Sequence, residues 1–359
     1  MTYPMGLLLP ILAMSSPGAG IPPVSPSRLP DRLIDSHGRT IRDLRLSITD
    51  RCNFRCVYCM EPDVRFTPYD QLLSVEDLVR LARVGVSLGI EKIRITGGEP
   101  TVHPRLTEII RGISALPIED VALTTNGSLM TDSAAAAWHG AGLRRVTISI
   151  DSLRPERFAK ITRSNCSPQT VLNAIEAAKR VGLWPIKLNA VVVRGFNEDE
   201  VGDLAGLAHD LGVEMRFIEF MPLDSGHAWD RSRVVPAAEI AERIHAKHPI
   251  SLVGRDDPSS TSLNYAFDDG SPGRIGLIAP VTRPFCGACS RLRITADGKV
   301  RPCLFSREEW DLRPLLRRDE PDAALAAFIA DAVWTKQAGH GISSSDFVQP
   351  ERPMSAIGG

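Results

Sequence analysis

Net charge is almost absent from this sequence. Its 42 basic residues meet 43 acidic ones, leaving −1 at neutral pH. No global field is therefore available to gather nucleic acid or an anionic membrane. Aromatic residues are scarce, at 6%. Long apolar runs are missing as well. The most apolar stretch, Met5–Met14, is about half the length a bilayer span needs and contains Pro10. Seven cysteines in 359 residues are too few for a disulfide-dense framework, and a chain this long does not need staples. What is present is ordinary for a globular protein: 43% hydrophobic and 24% charged residues. That balance excludes wholesale disorder, collagen-like repeats and coiled coil. The length suits two domains, or one large α/β domain with an appendage.

Residues 1–32 are rich in Pro, Ser and Gly and carry little charge, so they read as a disordered extension or a start codon placed too far upstream. Met5–Met14 imitates the apolar core of a secretory signal. No Lys or Arg precedes Leu7, so the basic flank of such a signal is lacking and a cytoplasmic chain is expected. The fold should begin near Leu33.

Six short β-branched runs recur: Leu44–Thr49, Lys92–Thr96, Asp120–Thr125, Arg145–Ile150, Ile186–Val193 and Glu214–Phe220. Helical patterns separate them, at Ser74–Leu88, Pro104–Ser114, Thr131–Trp138, Pro168–Val181 and Asn197–Asp210. Ser74 with Asp77 forms a capping-box signal, and Asn197 is the expected N-cap of the last helix. Such alternation predicts an α/β fold with a parallel sheet, here a partial TIM-like barrel of six βα units over residues 33–230. Residues 231–345 predict a C-terminal α+β extension. It holds a helix at Pro236–Lys247, a polar surface loop at Asp256–Gly273, a strand at Arg274–Ile278 and a helix at Ala323–Trp334. An Asp297-Gly298 hairpin joins Leu292–Thr295 to Lys299–Leu304. Residues 346–359 form a polar tail ending in Gly358-Gly359.

In barrels of this kind chemistry sits on the loops that follow the strands. Those loops carry Cys52 to Cys59, Gly97-Gly98-Glu99-Pro100, Thr125-Asn126-Gly127, Ser149-Ile150-Asp151 and Glu219-Phe220-Met221-Pro222. Cysteines fall into two trios, Cys52, Cys56, Cys59 and Cys286, Cys289, Cys303, with Cys166 alone. Two tight trios read as metal ligation rather than disulfide pairing. Structural zinc wants a closed shell of four ligands. Three thiolates suit a [4Fe–4S] cluster that keeps one iron open. A zinc knob with a borrowed ligand is the alternative.

The C-x3-C-x2-C spacing, with Tyr58 before the third cysteine, resembles the signature of radical S-adenosylmethionine (SAM) enzymes. That resemblance implies SAM held on the open iron of a cluster at Cys52, Cys56 and Cys59. It also implies Tyr58, Gly98, Ser149 and Met221 as cofactor contacts. Several stretches bring the chain close to the GTP 3′,8-cyclase family of molybdenum-cofactor biosynthesis. They include Thr49-Asp50-Arg51-Cys52, Arg94 to Pro100, Leu123 to Gly127, Arg216 to Met221, Phe285 to Arg293 and the closing Gly-Gly. The family implies a second [4Fe–4S] cluster at Cys286, Cys289 and Cys303, whose open iron orients guanine. It implies GTP contacts from Arg45, Arg94, Thr124, Lys187, Arg291, Leu292 and Arg293. It also implies a catalytic role for Gly358 and Gly359, inserted into the barrel. Partners implied are an electron donor such as flavodoxin or ferredoxin and a downstream cyclic pyranopterin monophosphate synthase. A homodimer is compatible with it, and neither nucleic acid nor membrane is expected. Two rival readings remain at this point: a radical SAM enzyme modifying peptide or RNA, and a non-catalytic zinc-binding scaffold.

Overall fold

The structure, a computed structural model, describes residues 32–358. Of the extension expected over residues 1–32, residues 1–31, with Met5–Met14 among them, lie outside the described residues, as does Gly359. Six strands follow one another through the first part of the chain. They are β1 (Asp43–Ser47), β2 (Lys92–Thr96), β3 (Asp120–Thr125), β4 (Arg145–Ser149), β5 (Ile186–Val192) and β6 (Glu214–Glu219). Between them run α1 (Val75–Ser87), α2 (Leu106–Ser114), α3 (Asp132–Gly140), α4 (Pro155–Thr162), α5 (Pro168–Arg180) and α6 (Val201–Leu211).

Local rules explain most of these elements. Helix α1 starts in a full capping box: the Asp77 N–H donates to the Ser74 hydroxyl at 3.0 Å, and the Ser74 N–H donates back to the Asp77 carboxylate at 3.2 Å. Its Leu78, Leu81, Ala82 and Gly85 form one buried stripe at helical spacing. Strand β5 buries Ile186, Leu188, Ala190 and Val192 against the helices, while Lys187, Asn189 and Val191 take the other face. That alternation decides which side chains reach the interior of the sheet.

Beyond β6 come α7 (Ala237–His245), β7 (Ile250–Gly254), β8 (Leu263–Phe267), β9 (Arg274–Ile278), β10 (Arg291–Ile294), β11 (Lys299–Arg301) and β12 (Trp310–Asp311). Then follow α8 (Arg313–Arg317), α9 (Asp322–Trp334) and α10 (Met354–Ile357). All twelve strands form one sheet, ordered β12-β11-β10-β1-β2-β3-β4-β5-β6-β9-β8-β7. Strand β9 runs parallel to β6, and β10 runs parallel to β1 with Arg293 opposite Arg45. The parallel section is therefore eight strands wide: the C-terminal region adds one strand to each flank of the expected six.

Several local expectations need correction. Helices α4, α8 and α10 and strands β7 and β12 have no counterpart in the sequence pattern, and β8 lies inside the stretch expected as a loop. Strand β8 owes its existence to partners on both sides, β7 and β9, rather than to its own composition. Asn197 does not cap α6, which begins at Val201. Its amide instead donates to Asp151 O at 2.8 Å and Val191 O at 2.9 Å, and accepts from Val193 N at 2.9 Å. Three backbone groups in the β4 and β5 loops compete for this side chain and win. Among the described residues no helix is long and apolar enough to cross a membrane.

Candidate active site

The inner faces of β1–β6, β9 and β10 enclose one cavity of about 300 Å³. Both cysteine trios line it, as do Tyr58, Gly98, Ser149, Met221, Arg45, Arg94, Thr124, Arg291 and Arg293. All seven cysteines are free thiols. Cys166 stands apart, its thiol near the carbonyl oxygen of Ser167 at 3.7 Å.

The first trio sits on the loop after β1. Helix α4 holds this loop through its C-terminal carbonyls, which accept from Arg55 N at 2.8 Å and Val57 N at 2.9 Å. Tyr58 OH donates to Asp151 at 2.6 Å, and Asn126 donates to Asn53 at 2.9 Å. A Cβ on Gly98 would lie 2.5 Å from the carbonyl oxygens of Asp50 and Arg51, and one on Gly97 would lie 2.4 Å from Thr49 O. The paired glycines therefore let the β2 loop press against the cysteine loop. Glu99 is buried and accepts from Thr101 N, Thr101 Oγ1, Thr125 Oγ1 and Asn126 N at 2.6–3.0 Å. It ties the β2 loop to the β3 loop, a structural task that the sequence pattern does not reveal.

Burial pushes the Cys52 thiol up to about 11 and the Cys59 thiol up to about 12. Cys56 is raised well above the ordinary thiol range by burial and then by Asp151. The ligating form is the thiolate, so a cationic centre bound there would have to offset this desolvation. The Phe54 N–H already donates to the Cys52 sulfur at 3.3 Å, as it would to a ligating thiolate.

The second trio is assembled by the β10–β11 hairpin, which returns Cys303 towards Cys286 and Cys289. Arg39, paired with Asp35 at 2.6 Å, donates to the carbonyls of Cys286, Gln337 and Ala338 at 2.7–2.9 Å. The Gln337 amide reaches the Cys303 sulfur at 3.5 Å. Burial raises Cys286; at Cys289 burial also pushes up, but Arg291 and Lys336 outweigh it and the thiol is lowered. Among the described residues no group of three His, Cys, Asp or Glu side chains is arranged to hold a single metal ion.

A cationic belt lines the same cavity. Arg293, Arg45 and Arg94 stand opposite one another on β10, β1 and β2. Arg94 donates to Thr124 at 3.1 Å and Thr147 at 3.0 Å. Burial and neighbouring guanidiniums lower the pKa of Arg45 and Arg94, and bring Arg293 to about 9. A row of buried like charges calls for an anionic ligand. Lys187 lies beside the belt and is paired with Glu214 at 2.9 Å. Leu292 differs from expectation: its side chain packs into the core, because β10 alternates and Arg291 and Arg293 take the inner face. Asn189 and Arg216 line the cavity too, and Asn189 Oδ1 is buried without a partner. The alternation of β5 and β6 carried that signal.

The tail enters the same space. The Met354 N–H donates to Leu223 O at 2.9 Å, Ser355 lines the cavity, and Ile357 is fully buried. Gly358 meets Arg293, Thr96 and Ser47. Gly359 lies outside the described residues.

The fold and the first cysteine loop define a radical SAM protein. Residues 46–208 match the model of the Radical SAM superfamily, and residues 213–342 match that of Molybdenum Cofactor Synthesis C. The chain is 46% identical to a GTP 3′,8-cyclase of Streptomyces coelicolor, over 91% of this chain and 96% of that protein. It is 43% identical to one from Mycolicibacterium smegmatis over 98% of both. The chain belongs to the GTP 3′,8-cyclase family. Streptococcus suis SuiB bound to S-adenosylmethionine shares the fold, with a TM-score of 0.56, 13% identity and coverage of 86% of this chain and 67% of that one. So does anSMEcpe with bound AdoMet, at 0.52, 16% identity and 82% and 81%.

Proposed function

We propose that this chain converts GTP to (8S)-3′,8-cyclo-7,8-dihydroguanosine 5′-triphosphate, the first step of molybdenum-cofactor biosynthesis. The observation that carries this reading is one cavity lined by both cysteine trios and by a row of guanidiniums on three neighbouring strands. When bound, SAM and a [4Fe–4S] cluster held by Cys52, Cys56 and Cys59 would supply the 5′-deoxyadenosyl radical chemistry that takes hydrogen from C3′ of the ribose, and one further electron and a proton, the electron from the external donor, would be needed to complete closure of C3′ onto guanine C8.

The chain's own residues bind, orient and exclude water. Tyr58, Gly98, Ser149 and Met221 flank the first trio and would hold SAM. Arg45, Arg94 and Arg293, with Lys187, would neutralise the triphosphate, which carries about four negative charges at neutral pH. Thr124 and Thr147 fix the direction of the Arg94 fork. Cys286, Cys289 and Cys303 would hold the second cluster against the guanine edge. The seated tail narrows the cavity and keeps water from a reactive centre. An electron donor such as flavodoxin or ferredoxin would reduce the first centre, and cyclic pyranopterin monophosphate synthase would consume the product.

The test is anaerobic incubation of reconstituted protein with SAM, GTP and a strong reductant. The expected result is 5′-deoxyadenosine that accumulates only when GTP is present, together with the cyclic nucleotide. Release that ignores GTP, or that needs a peptide or RNA, overturns the assignment.

A further inference from the structure

Lys336 follows α9 and is buried against the second cysteine trio. Its ammonium donates to the carbonyl oxygen of Arg291 at 2.8 Å and to that of Pro302. These carbonyls belong to the chain just after Cys289 and just before Cys303. Among the described residues no carboxylate pairs with this ammonium. The ionisable groups that act on it most are the sulfurs of Cys289 and Cys303 and the guanidiniums of Arg291 and Arg39. A buried cation between two further cations is costly unless its surroundings supply negative charge. The two carbonyl oxygens offer partial negative charge, and Cys289 and Cys303, as thiolates, are the groups that would offer full charge.

The first trio has the opposite surroundings. Asp151 faces Cys56 and Glu99 faces Cys52, with Arg55 as the cation near Cys52. One end of the cavity is therefore set against carboxylates and the other against an ammonium and guanidiniums. Net charge and hydrogen bonding around an iron–sulfur centre set its reduction potential. A centre that accepts one electron gains one negative charge, and a fixed buried cation stabilises that charge.

We propose that Lys336 is the charge partner of the centre at Cys286, Cys289 and Cys303, holding it at a higher reduction potential than the centre at Cys52, Cys56 and Cys59. This rests on the reading that the second trio holds a [4Fe–4S] cluster. Lys336 donates to backbone and not to sulfur, so it is a positioning residue that acts through space and through the two strands it ties. Reduction here is a one-electron step from an external reductant, with no bond made or broken. The consequence is an ordering: an electron that reaches both centres rests at the second.

The experiment is a dithionite titration of the full, anaerobically reconstituted chain, followed by electron paramagnetic resonance without GTP. A variant with Cys52, Cys56 and Cys59 replaced by Ser isolates the second centre, and the matching Cys286, Cys289 and Cys303 variant isolates the first. The second is expected to titrate at the higher potential. In the isolated second centre, Lys336→Gln keeps a hydrogen-bond donor without the charge and is expected to shift the midpoint to more negative values. Lys336→Arg keeps the charge and is expected to leave the midpoint near that of the parent. Equal shifts in both variants, no shift in either, or the reverse ordering of the two centres overturns the proposal. If Lys336→Gln fails to hold its cluster, Lys336→Arg decides: full iron at the parental midpoint supports it, and the same loss overturns it. Iron analysis of the wild-type chain comes first. About four irons instead of about eight would sink the two-cluster reading itself, before any variant is made.

Discussion

Arg293 donates to the carbonyl oxygen of Gly358, and in doing so joins strand β10 to the C-terminal tail. Gly358 has φ of +72°, and a Cβ there would lie 2.8 Å from Thr96 Cγ2 and 3.3 Å from Ser47 Cβ. The position combines left-handed backbone with close approach, both of which favour glycine. Gly358→Ala is expected to displace the tail and lower turnover by about a hundredfold, the scale of an ångström-sized misplacement near the reacting atoms. Deleting Gly358 and Gly359 should abolish turnover. Iron content and SAM binding, measured in parallel, should stay at wild-type levels in both; full activity in the truncated chain would show that the tail is a bystander.

Arg94 is the belt residue whose surroundings are best defined, through Thr124 and Thr147. Arg94→Ala removes a charge-assisted contact worth about 1.5–3 kcal/mol, or roughly ten- to a hundredfold in affinity. The loss should fall on GTP binding, with SAM binding nearly unchanged. Titration calorimetry with each ligand separates the two. Equal loss for both ligands would place Arg94 in the scaffold and not at the triphosphate.

The six leading strands and both cysteine trios were legible because each is local: an apolar run between turn signals, or thiols a few residues apart. The pairing of β10 with β1 was not, since an Asp-Gly hairpin looks the same wherever its strands dock. Nor was Arg39, which reaches Cys286 from 247 residues away and meets that region only through carbonyl oxygens. Backbone acceptors leave no trace in side-chain pattern. Glu99 was visible but its task was not: the glycines before it signal a ligand loop, while its carboxylate is consumed by four donors from two loops. Leu292 fell on the wrong face because a contiguous Arg-Leu-Arg stretch conceals the alternation of a strand.

Lys187 makes the belt sensitive to pH. Burial, and then the nearby Arg216, pull its ammonium down to about 8, in spite of Glu214. If the protonated form binds the triphosphate, raising the pH through about 8 removes a positive charge and weakens GTP binding. The KM for GTP should rise by up to about tenfold one unit above that pKa, with kcat and SAM affinity flat across the same range. Lys187→Arg keeps its charge and should flatten the profile. A wild-type KM that ignores pH between about 7 and 9 would remove Lys187 from the contact set.

Glu219 closes the sheet to the region that carries the second trio. Its buried carboxylate accepts from Ala237 N, Val281 N and Thr282 N, each at 2.9 Å, and from the Thr282 hydroxyl. These donors open α7 and the segment running from β9 towards Cys286. Glu219→Ala removes the acceptor of all four, of which only the Val281 N–H is fully buried, and at about 1–3 kcal/mol for a buried unpaired donor a loss of about 3 kcal/mol is expected in anaerobic denaturant unfolding. Glu219→Gln keeps one acceptor oxygen and should lose less. Because the Val281–Thr282 segment leads into Cys286, iron at the second centre should fall before iron at the first, which cysteine-to-serine controls resolve. Full iron and wild-type stability with lost turnover would instead mean that Glu219 acts on the bound ligands, and the tether assignment would fail.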